Sequence, residues 1–545
     1  MRVRGGAGLS SVASQAALAA LILWPCCVAR GQAAAAQGYR IAGQVVDAES
    51  GEPVPRVTVS VLNEEDYHLM TSAVTDGEGH FAFEHLPAGK YPLTAAKRGF
   101  RTSYYDEHDD FNSAIVTGDG LETGHLVFRI EPGAVLRGVV TGDGGDAVEN
   151  AQVMLFRKPS TGAPGGRMEQ AGNTETDDTG AYEFAGLPPG EYLLAVKGEP
   201  WFAQHGVRMA EAGPVASPLD VAYPVTYYDS VTEEGAATPI PLTAGSREEA
   251  DISLHGVPAL RFTIAIAPGR RHEMPRVTLQ QRVFGNAVSS ETMEVGRQGN
   301  GKLDVAGIAP GNYELEFGDP PRTMTVNAAS NLELDADAGT PALSVTGTLK
   351  MAGGGPVPAD VSLTLSSADE QQAGIEAIAR RGQFEFTAVR PGTWSLSAGG
   401  GSTGLALAVV ATAVGGAAAA GDQIVVRDRP VTAVVTLSRA QVRVKGFARK
   451  DGKAAAGVMI LLAPREPGAY PALARRDQSD SDGSFELRDV PAGQYTAIAI
   501  EDGWKLDWQR REVIAPYLRG GVAVKVTEQS GPVVSVPQAV PVAGR

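Results

Sequence analysis

The chain has 545 residues, 43% of them hydrophobic and 20% charged, with 47 Lys and Arg against 63 Asp and Glu for a formal net charge of −16. A chain of this length folds as about three to five domains rather than one, and an acidic surface without a basic patch excludes duplex or single-stranded nucleic acid as a partner. Gly 66 and Pro 35 make about a fifth of the residues while aromatics are only 6%, which points to many short strands joined by turns and stops short of a disordered composition.

The first element is expected to be a leader, residues 1–36. Arg2 and Arg4 precede the apolar stretch Ser14–Trp24, which is too short to span a bilayer, and Ala34-Ala35-Ala36 offers a small-residue cleavage point. Trp24 and Pro25 before Cys26 argue against a lipidation box. Cys26 and Cys27 are the two cysteines of the chain, so a mature form starting near Gln37 is expected to have no disulfide and no thiolate metal site. Such a form would carry a net charge near −19 and be secreted, periplasmic or displayed on the outer cell surface.

Beyond the leader one phrase recurs five times. It reads "TDGEGHFAFEHLPAGKY" at Thr75–Tyr91, "TDDTGAYEFAGLPPGEY" at Thr176–Tyr192 and "SDSDGSFELRDVPAGQY" at Ser479–Tyr495, with looser copies at Gly299–Tyr313 and Ala379–Trp394. The leading glycines Gly79, Gly180, Gly301, Gly382 and Gly483 each stand ten residues before a second glycine: Gly89, Gly190, Gly311, Gly392 and Gly493. Two residues further on comes Tyr91, Tyr192, Tyr313, Trp394 or Tyr495. The leading glycines are 101, 121, 81 and 101 residues apart, a period suited to whole domains.

Within the phrase, Phe81 and Phe83, Tyr182 and Phe184, Phe384 and Phe386, and Phe485 and Leu487 alternate with polar residues, as on one face of a half-buried strand. The glycines turn the chain, and a second alternating strand begins at the aromatic. Upstream of each phrase lie two strands separated by a Gly/Pro-rich turn. Downstream, segments such as "AIVTGDGLETGHLVFRI" and "QIVVRDRPVTAVVTL" read as closing hairpins. About seven strands per hundred residues is a β-sandwich count. The expected organisation is all-β, a tandem array of about five immunoglobulin-like or transthyretin-like sandwiches at residues 38–131, 132–257, 258–340, 341–440 and 441–538. The uncharged run Leu405–Gly421 is expected to be strand and loop of the fourth unit, leaving no membrane span in the mature chain.

These residues carry a family resemblance. Gly43, Val57, Val59, Asp76, Gly79, Phe81, Phe83, Leu86, Gly89 and Tyr91 follow the pattern of the carboxypeptidase regulatory-like domain. The second and fifth units match comparably, whereas the third and fourth have Gln298 and Ala379 at the aspartate position. The resemblance implies a transthyretin-like sandwich of the carbohydrate-binding-like group, and with it a polysaccharide, or another envelope protein, as partner. The protein would then be a non-catalytic binding or adhesion protein at the cell envelope; a structural stalk and an accessory to a carboxypeptidase encoded elsewhere are the alternatives.

Catalysis has little to build on. None of the eight histidines, His68, His80, His85, His108, His125, His205, His255 and His272, has Glu three residues on or lies in H-E-x-x-H. No catalytic residue, metal ligand or cofactor is expected. Asp76, Asp177 and Asp480 read as turn-capping residues; a calcium site, for which "DSDG" at Asp480–Gly483 has part of the pattern, is the other reading. Candidate ligand-binding residues are aromatic. Tyr104 and Tyr105, with Tyr227 and Tyr228 in the next unit, would form ledges beside acids or pack on the sandwich edge. Trp201 and Trp504, each nine residues beyond the phrase tyrosine, with Trp508 as an extra, would offer platforms to sugars or share a packing role at the strand end.

Overall fold

The computed structural model describes residues 38–158, 168–206, 217–265, 276–293, 295–297, 302–318, 321–367, 374–401, 404–419 and 421–544. The expected leader lies outside them. Five hydrophobic cores succeed one another along the chain, each drawn from one copy of the recurring phrase and its flanks: Ile41 to Ile130, Ala134 to Leu254, Phe262 to Ala328, Val345 to Leu437, and Val444 to Val540. We refer to the units around them as the first to fifth sandwiches.

In the first sandwich, Tyr39–Asp47 lies between His80–Leu86, which it pairs antiparallel, and Leu126–Ile130, which it pairs parallel. The facing sheet runs Leu69–Val74, Thr58–Leu62, Leu93–Ala96 and Ser103–Tyr104, with Gly89–Tyr91 paired to Ile115–Thr117. Alternation sends Phe81 and Phe83 from one sheet and Val59, Val61 and Leu93 from the other into a common core. The phrase therefore carries the chain from one sheet across to the other.

The downstream segments are not hairpins. Ile115–Thr117 pairs with one sheet and Leu126–Ile130 with the other, and the parallel pairing of a late strand to the first recurs in all five sandwiches. The sequence showed two strands and a turn. It did not show that the turn spans the thickness of the sandwich, because pairing partners are chosen by non-local packing. This parallel neighbour also explains the family glycine: a Cβ on Gly43 would stand 2.2 Å from the Leu126 carbonyl oxygen, and on Gly138 2.2 Å from that of Ala250.

Some boundaries move outward. Val257–Pro258 pairs within the second sandwich, Thr340–Pro341 within the third, and Val540–Ala543 closes the fifth beyond residue 538. Leu407–Val414 is a strand of the fourth sandwich, paired to Val431–Arg439. One element has no counterpart in the sequence reading, the helix Arg511–Leu518 of the fifth sandwich, eight residues with Pro516 inside. Among the described residues no helix is long and apolar enough to cross a membrane.

Successive sandwiches touch. Gly133 N–H donates to the Gly99 carbonyl at 3.1 Å between first and second. Phe284 of the third packs on Phe156 and Tyr227 of the second at 5.2 Å. Arg390 of the fourth reaches Glu316 of the third at 3.0 Å, and Ser438 of the fourth donates to Glu528 of the fifth at 2.8 Å. The fifth returns to the first, so the contacts form a closed circuit.

Candidate functional site

The recurring corner is scaffold, held by one repeated hydrogen bond. Tyr91, Tyr192, Tyr313 and Tyr495 each donate a phenolic O–H to the carbonyl four residues back, at Pro87, Pro188, Ala309 and Pro491, over 2.7–3.0 Å. In the fourth sandwich the Trp394 indole N–H does the same to Arg390 at 3.0 Å. All five rings are buried, so the aromatic fills the core while its polar tip satisfies a carbonyl at the bend. Gly79, at φ +76°, adopts the left-handed conformation that the preceding turn requires.

Asp76 and Asp177 cap that turn, each accepting backbone N–H groups two and four residues on at 2.8–2.9 Å. Those bonds hold the Asp76 carboxyl below the usual range, the His80 N–H most strongly. Asp480 departs from this pattern. In the fifth sandwich Asp482 accepts the Ser484 N–H at 2.9 Å, and the Asp480 carboxylate turns outward to the first sandwich. There it accepts the Ala114 N–H at 2.9 Å and the Lys90 ammonium at 2.5 Å. Burial works against the Lys90 charge, but Asp480, with Glu64 and Asp482 behind it, more than offsets that and lifts its pKa above the usual lysine value. Among the described residues no three His, Cys, Asp or Glu side chains converge as a metal site.

Around this ion pair the two sandwiches interlock. Ser481 N–H donates to the Ala114 carbonyl at 3.0 Å, and Ser113 Oγ donates to the Ser479 carbonyl at 2.9 Å. Gln478 donates to Ser113 Oγ at 2.9 Å and to the Asp106 carbonyl at 2.5 Å. Beside them, His108 stacks on Trp504 with centroids 5.5 Å apart and planes 10° from parallel. Arg476 lies over Phe111 at 5.1 Å, Trp504 at 5.7 Å and Trp508 at 4.5 Å.

The structure thus places the expected platforms in three different settings. Trp504 is 7% exposed, covered by His108 and Phe111, and has no face to offer a ligand; Trp508 is half-buried under Arg476. The tyrosine pairs do not form ledges. Tyr105 packs edge-on against Phe128 in the core while Tyr104 meets Tyr67 at 5.9 Å. Tyr227 is 5% exposed beneath Phe284, and Tyr228 packs on the second core. Tyr104 and Tyr227 each end a strand and Tyr105 and Tyr228 open the turn after it, so the two rings of each pair go to different surroundings.

Trp201 is different. It is 86% exposed and meets Phe202 edge-on at 5.6 Å. It stands at a cavity of about 710 Å³ in the second sandwich, lined also by Asp143, Asp146, Asn150, Glu199 and Tyr223. His255 and the Gly256 N–H hold Asp143 at 2.9 and 2.8 Å and keep its carboxyl below the usual range. The remaining carboxylates and the Asn150 amide line the cavity beside an apolar ring.

Residues 40–114 and 135–255 match the family model described as Carboxypeptidase regulatory-like domain. No curated protein matches the chain by sequence. Among solved structures the chain is similar to the Bacillus anthracis TIE protein (10% identity, 73% of this chain and 74% of that one, TM-score 0.16). It is also similar to the Streptococcal ancillary pilin (13%, 55% and 98%, 0.19) and to two B repeat units of the collagen binding protein of Staphylococcus aureus (11%, 73% and 99%, 0.13).

Proposed function

We propose, taking as premise that its first two sandwiches are carboxypeptidase regulatory-like domains, that this chain is an exported, non-catalytic binding protein of the cell envelope that takes a carbohydrate at the second sandwich. The observation that carries this reading is Trp201, a fully presented indole beside a cavity lined by Asp146, Asn150 and Glu199. A sugar ring offers an apolar face to the indole and hydroxyls to the carboxylates and amide. Immobilised polysaccharides titrated with the wild type and Trp201→Ala test it. Binding that Trp201→Ala abolishes supports the reading, and wild-type binding to no glycan ends it.

A second reading, a spacer holding partners apart, is favoured by the tandem array itself. The Lys90–Asp480 closure counts against a fully extended spacer, since first and last sandwiches meet. A compact scaffold fits that reading better than a rod.

A further inference from the structure

In each sandwich a third strand pairs antiparallel with the second: Leu69–Val74, Glu169–Glu175, Asn286–Thr292, Ile375–Arg380 and Arg475–Gln478. One of these edges is covered by another sandwich. On Arg475–Gln478 sits the His108–Ala114 segment of the first, bonded to Gln478 and the residues after it. The turn of the third reaches only the residue before Glu169–Glu175, where Asn286 donates to the Met168 carbonyl at 2.9 Å, and that strand stays mostly exposed. In the fifth sandwich the edge of this third strand is therefore a surface that the fold uses for docking.

The first sandwich leaves that edge open. Among the described residues Leu69–Val74 pairs only with Thr58–Leu62. Leu69 is 59% exposed, Met70 45% and Val74 63%. The four counterparts all carry charges in their sequences, among them Glu169, Glu291, Arg380 and Arg476, whereas "LMTSAV" carries none. Charged residues, proline and bulges are the usual means of keeping an edge from pairing; the one irregularity here falls at Met70, between the Val61–Thr71 and Leu62–Leu69 pairs, and Thr71–Val74 pairs in regular register. The main-chain geometry agrees: Thr75 N–H donates to Val57 and Thr75 O accepts from Arg56, so alternation turns the N–H groups of Val74 and Ser72 away from the sheet.

Acids bracket the open edge, exposed Glu65 and Asp66 before it and exposed Asp76 and Glu78 after it. His68 holds the Asp66 carboxyl below its usual range, and backbone N–H groups do the same for Asp76, so both are ionised at neutral pH. A second copy of this chain, net −16, would bring the same acids against them.

We propose that Leu69–Val74 is a docking edge that accepts an extended strand of another protein, apolar at alternate positions and flanked by Lys or Arg. Main-chain bonds to Ser72 and Val74 would give affinity, and the acids at the two ends would select the flanks. This does not depend on the Trp201 reading; a chain that binds no sugar keeps the edge.

The test is fluorescence anisotropy with two labelled peptides added to the full chain, Lys-Lys-Val-Thr-Val-Thr-Val-Lys and its Glu-ended counterpart. The Lys-ended peptide is expected to bind, more weakly as salt rises, and the Glu-ended one is not. Val74→Lys and Ser72→Pro each weaken binding by about tenfold or more, while Ile378→Lys on the fourth sandwich leaves it unchanged. Val74 is exposed enough for the lysine to be tolerated if Ser72→Pro does not fold. Absence of binding by the Lys-ended peptide overturns the proposal, as does equal binding by Val74→Lys. A wild-type dimer that Val74→Lys dissolves would also overturn it, by giving the edge to a second copy.

Discussion

Lys90 and Asp480 lie 390 positions apart in the chain, and their ammonium and carboxylate meet at 2.5 Å with both side chains mostly buried. The first member of the array is thereby fastened to the last, at the one corner whose aspartate is not spent on its own turn.

Removing one partner leaves the other charge buried and unpaired. Lys90→Ala is expected to weaken docking of the first sandwich on the fifth by on the order of 3 kcal/mol. Small-angle scattering should report a larger radius of gyration for the variant. In a double-mutant cycle the Lys90→Ala and Asp480→Ala costs should not add; additive costs would mean that the pair is not coupled.

Asp477, beside this pair, accepts the Glu486 N–H at 2.7 Å, and burial pushes its carboxyl up from the ordinary 3.8 to about 7. A carboxyl with a raised folded pKa keeps its proton in the folded protein where the unfolded chain has already released it. Stability contributed here is full below about pH 4, falls as pH rises to about 7, and is flat above. Thermal unfolding of Asp477→Asn against wild type at pH 5 and pH 8 measures this. The variant should gain at pH 8 by on the order of 2–4 kcal/mol and gain much less at pH 5.

The two tryptophans at matching places in the second and fifth repeats should behave oppositely. Trp504→Ala removes a ring packed on Met459, Ile500 and Ile514 and stacked with His108, at a cost of about 3–5 kcal/mol. Trp201→Ala should change the denaturation midpoint little, because its ring is 86% exposed. A Trp201→Ala loss as large as that of Trp504→Ala would mean that Trp201 is a packing residue.

Tyr192→Phe keeps the buried ring but leaves the Pro188 carbonyl without its donor. Chemical unfolding should show a loss of about 1 kcal/mol, and Tyr91→Phe a similar one. No loss at either would remove the hydrogen bond from the account of the corner.

The corner was legible because everything that specifies it is local: ten residues separate the glycines and four separate the tyrosine from its carbonyl. The closing segments read as hairpins in sequence because "AIVTGDGLETGHLVFRI" contains both strands and the turn but nothing about which sheet each strand joins. The circuit was harder still. Its residues, His108 to Ala114 and Gln478 to Asp480, sit some 366 positions apart, and no periodicity links them. A trace existed in the additional aspartate Asp482, which frees Asp480, and in Lys90, where the other four copies have Glu191, Asn312, Thr393 and Gln494. The sequence leaves Trp504 open between a sugar platform and a packing role, because it shows the ring and not the His108 that covers it.

Closure of the array is tested most directly by a distance. In a chain beginning at Gly38, which contains no cysteine of its own, Asp110→Cys and Gln509→Cys would carry spin labels beside the cluster of Phe111 and Trp508. The account predicts one narrow distance distribution, shorter than the width of a single sandwich, that broadens in Lys90→Ala. A broad distribution reaching to several sandwich widths in the wild type would contradict it.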